Sequence, residues 1–223
     1  MITPPPPPPQ NLQSAPAPSQ PITVPSAALK AIDSSGNTLT LSFYSTPGGM
    51  ATFNGQYANT SVFGMTVYQI GVGVIGTQSG TEYYLSNPYS PLGLSGQASG
   101  ALCGICATFS PILAMATYTS LITSFTPFPT TFGVGESGPV SSGTYSAMYF
   151  STVLGSGSRA QAYTVTADSP TALFLNINGA GVEGNQTWIY SVAASDESTL
   201  VKMTLVVRGR PVTFNLCDTP SCR

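Results

Sequence analysis

Thr38-Leu39-Thr40-Leu41-Ser42-Phe43 alternates apolar and hydroxyl side chains without a break. Successive side chains of a strand point to opposite faces, so Leu39, Leu41 and Phe43 share one face while Thr40 and Ser42 take the other. Tyr163-Thr164-Val165-Thr166-Ala167 repeats the pattern, with Tyr163, Val165 and Ala167 in phase. No amphipathic helix longer than two turns is legible, and residues 27–32 offer a single turn at most. The two alternating segments therefore read as half-buried strands of an antiparallel, all-β protein.

Working outward, runs rich in β-branched and aromatic residues fall at 61–75, 101–109, 114–122, 145–154, 172–177, 187–193, 199–207 and 211–216. Turn residues separate them: Ser35-Gly36-Asn37, Pro47-Gly48-Gly49, Gly155-Ser156-Gly157, Asn178-Gly179 and Gly209. Roughly eight to ten strands at this spacing imply a sandwich, jelly roll or barrel. The jelly roll, an antiparallel β-sandwich of eight strands in two Greek-key sheets, fits a body of residues 29–223 best. Residues 101–122 are uncharged and long enough to suggest a membrane span. Pro111 and the hydroxyls of Thr108, Ser110, Thr117, Thr119 and Ser120 make buried strands the better reading. The uncharged stretch 83–135 is expected to be rich in loops that pack against something.

Residues 1–28 stand apart by composition. Pro4, Pro5, Pro6, Pro7, Pro8 and Pro9 form an unbroken run, and ten of the chain's twenty prolines precede residue 26. Proline fixes φ and lacks a backbone donor, so this segment is expected to be an extended polyproline II arm unable to pair in a sheet. The arm either serves as a spacer or lies along a neighbouring protein. No basic n-region or apolar h-region opens the chain, so no secretory signal is expected.

Only fourteen of the 223 residues are charged, six Lys or Arg and eight Asp or Glu, and histidine is absent. No charge precedes Lys30, and none lies between Glu82 and Glu136. Scarcity of both signs makes net charge nearly independent of pH, as suits a hot, acidic medium. Without histidine a Ser-His-Asp triad cannot be built. The few scattered Lys and Arg give no nucleic-acid footprint. A carboxylate hydrolase would have to draw on Asp33, Glu82, Glu136, Asp168, Glu183, Asp196, Glu197 or Asp218. Of these, Glu136 in Gly135-Glu136-Ser137-Gly138 is the pick for a glutamic-type acid peptidase, yet all eight read as solvated loop carboxylates.

The other motifs are weak. Gly71-Val-Gly-Val-Ile-Gly76 and Gly179-Ala-Gly-Val-Glu-Gly184 match the dinucleotide fingerprint, but turn and strand residues follow where a helix is required. No cofactor is expected. Cys103 and Cys106 have C-x-x-C spacing, and Cys217 and Cys222 form a second pair. Four thiolates could hold zinc, but disulfides or buried thiols are the plainer reading, with the pairing open. Asn59 and Asn185 open glycosylation sequons.

Taken together, the Met1-Ile2-Thr3-Pro4 opening with its proline run, the chain length and the charge-poor β body resemble the penton-base (vertex) capsid proteins of turreted icosahedral viruses of hot acidic springs, typified by Sulfolobus turreted icosahedral virus. That resemblance implies a non-enzymatic jelly-roll subunit, present as a homopentamer at each five-fold vertex of a virion assembled inside the host cell. It also implies contact with the major capsid protein, the turret proteins and the internal viral membrane, with the proline arm as anchor. The other class compatible with the composition is an extracellular acid-stable β protein, either a filament or surface-layer subunit or a carboxylate-based acid hydrolase.

Overall fold

The structure, a computed structural model, describes residues 11–103, 105–106, 115–181, 184–195 and 197–216. The strands run in chain order as β1 (Ser14–Pro16), β2 (Val24–Ile32), β3 (Thr38–Phe53), β4 (Gln56–Gln69), β5 (Gly73–Ser86), β6 (Tyr89–Gly100) and β7 (Met115–Phe125). They continue as β8 (Thr131–Gly133), β9 (Ser137–Tyr149), β10 (Thr152–Ala167), β11 (Ala172–Gly181), β12 (Gly184–Ala193), β13 (Ser198–Val207) and β14 (Arg210–Leu216). The all-β, antiparallel reading holds. Leu39, Leu41 and Phe43 point inward together, as their alternation requires.

Twelve of the strands close a barrel, and β1 pairs with β8 in a separate two-stranded sheet. Each barrel strand lies beside its sequence neighbours, with β8 skipped between β7 and β9. β14 closes on β2 through Leu29 opposite Leu216 and Lys30 opposite Asn215. This order is a meander, whereas a jelly roll needs Greek-key crossings. The tight turns explain it. Asn54 and Gly55 have φ of 49° and 78°, and Arg208 and Gly209 have 51° and 75°. Such left-handed pairs make two-residue hairpins, which set each strand against the one before it.

The same turns correct several boundaries. The runs 61–75 and 145–154 are each split by a hairpin, at residues 70–72 and 150–151. Pro47-Gly48-Gly49 and Gly155-Ser156-Gly157 are not turns; β3 and β10 pass through them with bulges at Pro47/Met50 and Val153/Gly155. Asn178-Gly179 lies inside β11. Ala101 and Leu102 form a turn, while residues 104 and 107–109 of that run lie outside the described residues. The stretch 83–135, expected to be loop-rich, holds β6, β7, β8 and the end of β5. No helix among the described residues is long and apolar enough to cross a membrane.

β6 is disguised by Pro91, Gly93 and Gly96, and the glycines have a packing reason. In five cross-strand pairs the aromatic ring lies against the glycine directly opposite it: Tyr44 on Gly64, Phe63 on Gly80, Tyr118 on Gly96, Tyr145 on Gly157 and Tyr163 on Gly138. A Cβ at Gly80 would fall 2.8 Å from the Phe63 ring, and one at Gly96 would fall 2.7 Å from the Tyr118 hydroxyl. The rings thus lie flat on the strands they cover, a cross-strand pairing that uses the missing side chain.

The main core gathers Leu29, Leu41, Val67, Leu175, Met203 and Phe214, all without measurable exposure. Each such side chain contributes roughly 1.5–3 kcal/mol through burial. A smaller cluster of Ala98, Cys103, Cys106, Ala116, Tyr118, Ala147 and Leu154 lies toward β6, β7, β9 and β10. The β1–β8 sheet delivers Ala15 and Phe132 into the main core, where Phe128, Phe132 and Tyr163 pack with ring centroids 5.2–5.5 Å apart.

Residues 11–28 consequently belong to the body, against the expectation of an unpaired arm through residue 28. Leu12 N–H donates to Ser169 O at 2.8 Å, Ala17 N–H to Thr130 O at 3.1 Å, and β2 already begins at Val24. Pro16 is tolerated because it ends a short edge strand, where a missing donor breaks no ladder. Residues 1–10, with the run Pro4–Pro9, lie outside the described residues.

Candidate functional site

The barrel holds a cavity of about 260 Å³ that is partly open to solvent and lined by residues of both cores. Strand alternation decides what faces it. On β5 the inward positions are Gln78, Gly80 and Glu82; on β7 they are Tyr118, Ser120 and Ile122. On β10 the phase of Tyr163 and Val165, carried back two and four residues, points Gln161 and Arg159 inside. Phe43, Phe63, Leu94, Phe125 and Trp188 supply the apolar wall, and Tyr89 and Tyr190 add hydroxyls.

The polar groups are partly wired together. Gln78 Nε2 donates to Tyr118 Oη at 3.0 Å, and Arg159 Nη1 donates to Ser120 Oγ at 3.0 Å. Ser120 Oγ in turn donates to Thr144 O at 3.1 Å, and Ser141 Oγ donates to Gln161 Oε1 at 2.9 Å. Glu82 and Arg159 are the cavity's only lining charges among the described residues. Burial pushes the Glu82 carboxyl above the ordinary glutamate value, partly offset by the attraction of Arg159. Burial likewise lowers Arg159, opposed by Glu82 and Tyr118. Tyr89 and Tyr190 are driven up, first by burial and then by the nearby Glu82 charge. Enclosing two charges costs several kcal/mol each unless their hydrogen bonds are met.

No protein-family model, curated protein or solved structure matches the chain. The geometry of its own residues therefore carries the functional argument.

The sequence candidates are dispersed. Glu136, in the turn between β8 and β9, accepts from Gly133 N–H at 2.9 Å and from Tyr163 Oη at 3.1 Å. It ties β8 to β10, and its bond to Tyr163 helps burial raise that phenol. Asp33 organises the β2–β3 turn by accepting from Ser35 N–H, Asn37 N–H and Asn37 Nδ2 at 2.8–2.9 Å, which holds its carboxyl below the usual range. Asp168 accepts from Ser191 Oγ at 3.0 Å, and Glu197 lies in the β12–β13 turn, its backbone O accepting from Ala193 N–H. Glu183, Asp196 and Asp218 lie outside the described residues. Among the described residues no three potential ligands gather around a metal position.

Cys103 and Cys106 are joined in a disulfide with Cα atoms 5.2 Å apart, inside the smaller core. Cys217 and Cys222 lie outside the described residues. Gly71 to Gly76 spans the β4–β5 hairpin, and Gly179 and Gly184 flank the β11–β12 hairpin, so neither glycine motif precedes a helix. Asn185 is exposed on β12. Asn59 is half-buried, its Nδ2 bonded to Ser86 Oγ at 3.2 Å, and the Thr60 and Ser61 of its sequon are buried.

What sequence reasoning missed is that Glu82 and Arg159 line the same cavity inside the barrel. The signal was present for Arg159, since it shares the alternation of Tyr163 and Val165. For Glu82 it was hidden, because Gly76 and Gly80 leave its face without apolar markers.

Proposed function

We propose that the chain is a non-enzymatic capsid subunit that forms the five-fold vertex, or penton base, of an icosahedral virion. In this reading it packs against copies of itself, the major capsid protein and turret proteins, with the Pro4–Pro9 run as anchor and the internal membrane within reach. The observation that carries it is the apolar end of the barrel. Strand register brings the β2–β3, β4–β5 and β9–β10 hairpins to the same end. There Ile32, Ile70, Val72, Val74, Phe150 and Val153 are each more than half exposed, up to 84% for Phe150. Apolar hairpin tips on this scale mark surfaces that neighbours cover.

Among the described residues the charges at that end each have a hydrogen-bond partner. Arg208 Nη2 donates to Gln69 Oε1 and Arg210 Nη1 to Ser34 Oγ, each at 3.0 Å, and Asp33 is held in its own turn. Among the described residues only these three charges stand beside the exposed apolar side chains, so repulsion between identical copies is small, and a charge-poor surface changes little in acid. To test it, the full-length chain is mixed at acidic pH with shells of a turreted virus and followed by sedimentation and electron cryomicroscopy. Five copies at each vertex are expected. Absence from the particles, or cleavage of protein or glycan by a stable monomer, would overturn the proposal.

A further inference from the structure

The capsid reading leaves the barrel cavity unused, and its chemistry is that of a binding site. We propose that the cavity binds a small amphiphilic anion, with an oxygen-bearing anionic head on Arg159 and an apolar tail along Phe43, Phe63, Phe125 and Trp188. The volume sets the size: about 260 Å³ is some nine groups of water size at ~30 Å³ each, so the head and about five carbons fit, and the end of a longer tail reaches the cavity's open side. The wall is that of a ligand pocket, mostly aromatic and aliphatic with few polar groups.

Hydrogen bonding sets the head. A guanidinium has five N–H donors. Among the described residues Arg159 uses one of them, on Ser120 Oγ, and the Glu82 carboxyl has no hydrogen-bonding partner. Half-buried polar groups with spare capacity favour a partner inside the cavity. A second pocket adjoins the first and shares Ser141, Gln161, Gly179, Ala180 and Gln186 with it, giving a vestibule beside the β11–β12 hairpin.

Charge sets the sign. The titratable groups facing Glu82 are Tyr89 from β6, Tyr118 from β7, Tyr145 from β9, Arg159 from β10 and Tyr190 from β12. The β3 and β4 side chains lining the cavity, Phe43, Ser45, Phe63 and Met65, carry no charge, nor do Gln20, Pro21 and Ile22. While Glu82 is protonated, Arg159 is the lone charge and an anion is favoured. Once Glu82 ionises it competes for Arg159 and repels the head. Affinity for an anion should therefore fall as pH rises.

Trp188 is the chain's one tryptophan and lines the cavity, so its fluorescence reports occupancy. The full-length protein is titrated at pH 4 and pH 7 with 1-octanesulfonate, which stays anionic at both, and with 1-octanol and octylammonium, with calorimetry in parallel. Octanesulfonate is expected to shift Trp188 emission and to bind about tenfold or more tighter at pH 4 than at pH 7, and tighter than either other probe. Arg159→Gln should lose that preference. Glu82→Gln, which preserves shape, should bind at pH 7 as the parent does at pH 4. Equal binding of octanol and octanesulfonate, heat without a Trp188 response, or no binding at all would each overturn the proposal.

Discussion

The two sides of the barrel are held together by different means. Along β2, β3 and β11–β14 the inward positions are mostly Leu, Val, Met and Phe with almost no exposure, and apolar area supplies the cohesion. Along β5, β6, β7, β9 and β10 the inward positions include Gly80, Gln78, Ser120, Glu82 and Arg159. There, long strand ladders, rings laid on glycines and a few side-chain hydrogen bonds do the work. A wall that does not depend on interdigitated apolar volume can bow away from its partner without collapsing. The cavity lies where it does for that reason.

The contrast predicts how each side fails. Phe132→Ala, in the main core that the dense side packs around, should cost about 3–5 kcal/mol. It should lower the calorimetric midpoint by roughly 10 °C for a domain of this size. A drop of only a degree or two would mean that the β1–β8 sheet is not part of the core. Gly80→Ala, in the sparse side, should cost less, about 1–3 kcal/mol. Its Cβ would meet the Phe63 ring at 2.8 Å and the Ser95 carbonyl at 2.7 Å. If alanine were neutral there, the rings would not need their glycines.

The smallest effect is the pH dependence of Glu82. Its folded value lies above the ordinary 4.5, so the protonated acid is the form the fold prefers. The stability it confers is fully present below about pH 4.5 and is lost as pH rises through the raised folded value. Glu82→Gln should flatten that decline in thermal melts between pH 4 and pH 8. A parent protein with no decline relative to the variant would place Glu82 in contact with water. The direction also agrees with a protein suited to acid.

Much of the dense side was legible in the sequence. Leu39, Leu41 and Phe43 announce their face by alternation, as Tyr163 and Val165 do at the end of β10, and burial follows. The sparse side was obscured because its inward residues are glycine, serine and glutamine, which pattern reading assigns to turns. β6 disappeared into Pro91, Gly93 and Gly96 for this reason, and Gly155-Ser156-Gly157 passed for a loop within β10. The strand order was illegible for a different one: Asn54-Gly55 signals a hairpin, but a meander and a Greek key both contain hairpins. The candidate site shared the fate of the sparse side. Glu82 and Arg159 are 77 positions apart in the chain, and only barrel closure brings their strands to one lumen.

The central claim is that this barrel is a subunit whose apolar end is covered by neighbours. Sedimentation equilibrium of the full-length chain at pH 4 tests it most directly. The prediction is a particle of five chains of 23.0 kDa, dissociating when Ile70 and Phe150 are both replaced by serine. A parent protein that stays a 23.0 kDa monomer at high concentration, with its hairpin tips exposed and soluble, would contradict it.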